Sequence, residues 1–172
     1  MRLQDKKTRT LALCGIFTAL ALACNILEAL IPLQAFIPLP GIKLGLANVV
    51  SVYVLYYIGE KEAFSVTVCR CVIASLIFGS VTSFAFSLCG GLLSLASSVL
   101  LKKIAKSRVS FIGVCVIGAA CHNFGQIAVC CAMFGTLAVV RYLPFLLLSS
   151  VICGGIIGGI LCFLPDITKR KA

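Results

Sequence analysis

Acid is scarce in this chain. Only five of its 172 residues are aspartate or glutamate (Asp5, Glu28, Glu60, Glu62 and Asp166), and four of these flank or precede apolar stretches. An enzyme that grips a diphosphate through magnesium needs clustered carboxylates as hard oxygen ligands. None are clustered here. No G-x-x-x-x-G-K-[ST] run occurs, which excludes nucleotide hydrolysis by a phosphate-cradling loop. The lone histidine, His122, has no serine– or cysteine–acid arrangement at a spacing that marks a nucleophile triad. The eleven cysteines are an odd number, nearly all lie inside apolar stretches, and no C-x-x-C is present. Cys69 and Cys71, two apart on a helix, point to different faces, so the set reads as small, weakly polar core filler. A stand-alone enzyme is not expected, and neither a cofactor nor a metal is called for.

What the chain has in abundance is apolar length. Hydrophobic residues make up 61% and charged residues 12%, too little polar surface for a soluble monomer. Six stretches stand out, at about 11–31, 44–58, 63–78, 83–101, 109–136 and 142–164. Several approach the ~20 residues that cross the bilayer core as a helix. Lipid offers no partner to a free backbone amide, and the alternating pattern of a barrel is missing, so helices are expected. The fold class is therefore an all-α membrane protein, a single six-helix transmembrane bundle over residues 1–172.

Basic residues mass at alternate gaps. Arg2, Lys6, Lys7, Arg9, Lys61, Lys102, Lys103, Lys106, Arg108, Lys169, Arg170 and Lys171 fall on one side; only Lys43 and Arg141 fall on the other. By the positive-inside rule both termini are cytoplasmic, in a multi-pass protein of the cell membrane. The net charge of +10 thus serves orientation and anionic lipid headgroups, and no nucleic-acid partner is expected. Leu22-Ala23-Cys24 faintly resembles a lipoprotein cleavage box. Hydrophobicity continues past it to Ile31, so no cleaved signal is expected.

Polar side chains inside a span are costly and need a reason. Here they gather in the middle-to-outer half of the expected spans: Asn25 and Glu28 on the first, Asn48 on the second, Arg70 on the third, Ser83, Ser87, Gly90 and Gly91 on the fourth. His122, Asn123 and Gln126 come on the fifth, and Arg141 stands beside the sixth. Gly118, His122 and Gln126 share one helix face. Interhelical hydrogen bonds or a Glu28 ion pair account for only two or three of these, so an outward-opening cavity is expected. Lys43, Arg70 and Arg141 would attract an anionic group of a small-molecule substrate. Asn48, Ser87, His122, Asn123 and Gln126 would hydrogen-bond it, and Glu28 would orient a cation or donor. The proline-rich, apolar segment from Pro32 to Gly41 fits a lid over the mouth or a loop resting on headgroups. Gly15, Ala19 and Ala23 form a smooth stripe about 150° from Asn25 and Glu28. If the polar face looks inward, the stripe is free for a partner. On the sixth span, the pairs Gly154/Gly158 and Gly155/Gly159 fit packing within the chain.

The run Lys43-Leu44-Gly45-Leu46-Ala47-Asn48 after a Pro-Gly turn, Arg70 in the third span, and His122-Asn123-x-Gly125-Gln126 in the fifth resemble the Gx transporter family, also labelled heptaprenyl diphosphate synthase component I. That family is similar to the substrate-binding S components of energy-coupling factor (ECF) vitamin importers. The resemblance implies docking of Ala19 and Ala23 on a transmembrane T subunit, with two cytoplasmic ATPases powering import. Its other label implies isoprenoid metabolism, and so, alternatively, a non-catalytic subunit supporting prenyl diphosphate or quinone synthesis.

Overall fold

A computed structural model of the chain describes residues 2–30, 43, 45–78, 81–105 and 109–163. They form six α-helices and a 3-10 turn: α1 (Arg2–Ala29), α2 (Asn48–Tyr57), α3 (Glu60–Phe78), α4 (Val81–Ala105), α5 (Phe111–Phe134), the turn Ala138–Tyr142, and α6 (Leu143–Phe163). No strand is present among the described residues. The expected lid at 32–41 and the basic positions Lys106, Arg108 and Lys169–Lys171 lie outside them.

Helices α1, α4, α5 and α6, the last with its preceding turn, contain runs long and apolar enough to cross a membrane: Lys7–Glu28, Val81–Ile104, Phe111–Phe134 and Ala138–Phe163. This is a multi-pass membrane protein. The other two expected spans differ. Helix α2 has ten residues, about 15 Å of rise against a hydrocarbon layer of about 30 Å. An apolar run continues back to Leu44, but Gly45 is left-handed (φ 84°). Its N–H is taken by Glu28 Oε1 at 2.6 Å, and its carbonyl accepts from Asn48 N–H at 2.9 Å. The helix therefore starts only at Asn48. Helix α3 has nineteen residues, but Glu60, Lys61 and Glu62 occupy its first turn and Arg70 its middle.

Helices α1, α3, α4, α5 and α6 neighbour one another in that order, and α2 touches all five. The shortest helix is thus the central one, with Val50 to Leu55 buried throughout. Its apolar side chains meet Phe17 and Ala21 of α1, Val66 of α3, Leu95 of α4, Val114 of α5 and Leu161 of α6. At the far end, Lys102 Nζ donates to the Leu55 carbonyl at 2.7 Å and lies 5.3 Å over the Tyr56 ring. A cation at a helix C-terminus meets its orphan carbonyls and its dipole. Ser110 caps α5 through Oγ, and Gly135 (φ 62°) ends it. The outside is apolar, with Leu20, Leu76, Ile104, Ile156 and Phe163 exposed.

Helix α6 divides its two glycine pairs. A Cβ on Gly154 would lie 2.7 Å from Val116 Cα, and one on Gly158 would collide with Ile112 Cα; Gly155 and Gly159 face open space. The inner pair lets α5 and α6 touch backbone to backbone. Gly154→Ala and Gly158→Ala should therefore each lower the thermal midpoint in detergent, by the equivalent of about 1–3 kcal/mol. Gly155→Ala and Gly159→Ala, one residue away, should leave it within error.

Candidate functional site

A greasy bundle has no water to spare for its interior, so each buried polar group must find a partner in the protein. Glu28, Asn48, Arg70, Ser87, His122 and Gln126 are all buried, and they converge on the short stretch Lys43–Asn48 from four different helices besides α2.

Gln126 of α5 clamps the backbone of residue 43 at two points. Its Oε1 accepts from Lys43 N–H at 3.1 Å, and its Nε2 donates to the Lys43 carbonyl at 3.0 Å. That fixes which end of the amide is which. Nε2 also lies 2.6 Å from His122 Nε2, so Nε2 donates there too and the imidazole accepts. His122 is then the Nδ1–H tautomer, with Nδ1 turned to Gly90 of α4. A Cβ on Gly90 would fall 2.6 Å from that nitrogen and 2.9 Å from the His122 carbonyl. Gly91 leaves room for Arg70 in the same way, a Cβ there lying 3.0 Å from Nη2. The Gly90-Gly91 doublet thus makes space for an imidazole and a guanidinium. Sequence alone marks the doublet as small, not as the bed of these two side chains, because only tertiary contact shows what lies above it. Gly125 completes the approach, its Cβ position 3.0 Å from Gly90 Cα.

The rest of the cluster hangs on the same stretch. Lys43 Nζ donates to Ser87 Oγ of α4 at 3.2 Å. Arg70 Nη2 donates to Asn48 Oδ1 at 2.5 Å. Glu28 holds the Gly45 N–H. Thus seven of the nine residues expected to contact a substrate come together: Glu28, Lys43, Asn48, Arg70, Ser87, His122 and Gln126.

The other two stand apart. Asn123 points to α6, its Nδ2 donating to the Leu146 carbonyl and to Ser150 Oγ, both at 2.8 Å. One residue along a helix is a turn of 100°, which carries Asn123 away from the face shared by His122 and Gln126. Arg141 is exposed on the 3-10 turn and takes no part in the cluster's hydrogen bonds. Beside the cluster lies a void of about 20 Å³, lined by Gly45, Asn48, Ser94, Gly118, Cys153 and Gly154 among others. That is room for about one water.

The expected stripe on α1 faces outward. Gly15, Ala19 and Ala23 are all exposed, and nothing lies within 4 Å of a Cβ placed on Gly15. Gly15 and Ala19 floor a groove of about 490 Å³ between α1 and α3, walled by Leu22, Val66, Cys69 and Ile73.

Among known families, the one described as heptaprenyl diphosphate synthase component I matches residues 17–164. No curated protein and no solved structure matches the chain.

Proposed function

Because the chain belongs to the heptaprenyl diphosphate synthase component I family, the Gx transporter family, we propose that it is a non-catalytic, substrate-binding membrane subunit. It captures a small amphipathic or anionic molecule from outside the cell, as the S component of an ECF-type importer, and two ATPases drive delivery inward. The observation that carries this reading is the cluster itself. Six buried polar residues and the half-buried Lys43 gather around Lys43–Asn48 in an apolar bundle, more than interhelical hydrogen bonding alone calls for. Lys43 and Arg70 attract the ligand, His122 and Gln126 order it, and release of the Gln126 clamp opens the way in.

Docking on the T subunit uses the α1 stripe, since small residues allow close helix approach. Ala19→Leu or Ala23→Leu should abolish co-purification with the T subunit while ligand-induced stabilisation stays at the wild-type level. Retained co-purification with lost stabilisation would assign the stripe to the site instead.

Both termini face the cytoplasm in this reading. Single cysteines at Gln34 and Ser107, in a cysteine-free background, should react with an impermeant thiol reagent in intact cells only at 34. Labelling at 107 would invert the topology.

The family's description favours a second reading, a membrane subunit that assists a prenyl diphosphate synthase. Affinity purification separates the two, according to whether ATPases or a soluble synthase accompany the chain.

A further inference from the structure

Resting on the proposal that the cluster is a binding site, we infer that the ligand's head group is an acceptor-only anion. It is a carboxylate or phosphoryl group, taken by donors on α1, α2 and α3. Among the buried side-chain atoms with no hydrogen-bond partner, besides His122 Nδ1 and Asn123 Oδ1, are Asn25 Nδ2, Asn48 Nδ2 and Arg70 Nε. These last three are all N–H donors. Their residues are 2%, 6% and 2% exposed, and the three helices that carry them are mutual neighbours. Arg70 uses Nη2 on Asn48 Oδ1, and its Nε–H is left to donate to an acceptor such as an anionic oxygen. Three acceptors nearby are already engaged. Glu28 Oε1 is on Gly45 N–H, Ser87 Oγ accepts from Lys43 Nζ, and Gln126 Oε1 accepts from Lys43 N–H. The unpartnered Asn123 Oδ1 belongs to the amide turned to α6.

Charge points the same way. Lys43 lies within electrostatic reach of one carboxylate, Glu28, and of a second cation, Arg70, so the neighbourhood carries one cation in excess. A single anionic group would balance it and would satisfy the orphan donors in one step. An amine would meet two cations. Glu28 then acts as the holder of Gly45 and not as a ligand to a cationic substrate.

The test uses the full chain in dodecyl maltoside with three probes: octanoate, octyl phosphate and octylamine, each below its micelle-forming concentration. The two anions should raise the wild-type thermal midpoint and the amine should not. Asn25→Leu should leave the unliganded midpoint at or above wild type, because it removes an unpaired amide, and should weaken octyl phosphate binding about tenfold. Arg70→Lys keeps the charge but loses the fork, and should weaken binding by at least as much. Stabilisation by octylamine equal to that by octanoate overturns the anionic head group while leaving a site in place. So does an undiminished anion response in both variants, or a lowered unliganded midpoint in Asn25→Leu, which would make that amide structural. Silence of all three probes in the wild type would remove the binding-site reading itself.

Discussion

Arg70→Ala is expected to cost the equivalent of about 2–5 kcal/mol of stability in detergent, the largest loss of any single change in the cluster. Arg70 is among the largest fully buried side chains of the protein. Its removal opens a void over Gly91 and Thr67 and takes the donor from Asn48 Oδ1. Relief of one excess buried cation offsets a part of this, and Arg70→Lys should recover only a fraction, since an ammonium cannot reproduce the fork. Thermal unfolding of the three proteins, without added ligand, reads the effect. An unchanged midpoint in Arg70→Ala would mean that the guanidinium sits in water and that the cluster is open to solvent.

Gln126→Leu should be the next largest and should differ in kind. Three bonds go at once: two to the backbone of Lys43 and one to His122. At roughly 0.6–1.7 kcal/mol for each bond inside a membrane protein, about 2–5 kcal/mol of local stability is lost. That loss falls on the stretch leading into α2, so hydrogen exchange at residues 43–48 should accelerate by one to two orders of magnitude or more. Asn123→Leu makes the contrast. Ser150 Oγ keeps its own bond to the Leu146 carbonyl at 2.8 Å, so this change should loosen α5 from α6 by about 1 kcal/mol and leave exchange at 43–48 as it was. If Asn123→Leu unprotects 43–48 and Gln126→Leu does not, the two side chains have been assigned to the wrong faces.

Much of this architecture is legible in the residues. The long apolar runs of α1, α4, α5 and α6 follow from composition. The outward turn of Gly15, Ala19 and Ala23 follows from helical angle once Asn25 and Glu28 face in. Where sequence falls short, the cause is tertiary. The run Leu44–Ile58 looks long enough to be most of a span, yet a left-handed Gly45 bound to a carboxylate seventeen residues before it shortens it to α2. Adjacency in the chain groups Asn123 with His122, although neighbours on a helix occupy different faces. Charge patterning places Arg141 on a side of the membrane, which says nothing about depth.

The doubled glycines of α6 make its register ambiguous. Sliding α6 by one residue and rotating it by 100° would bring Gly155 and Gly159 against α5 in place of Gly154 and Gly158. Asn123 discriminates between the two arrangements. In the native arrangement its amide finds the Ser150 hydroxyl. In the slipped one it meets Val151, which has nothing to offer a donor. The Ser150 hydroxyl thus favours the native register, alongside the buried Leu146 and Leu161. Ser150→Val should slow attainment of the native pairing and populate the slipped helix, a kinetic defect larger than the single lost bond implies.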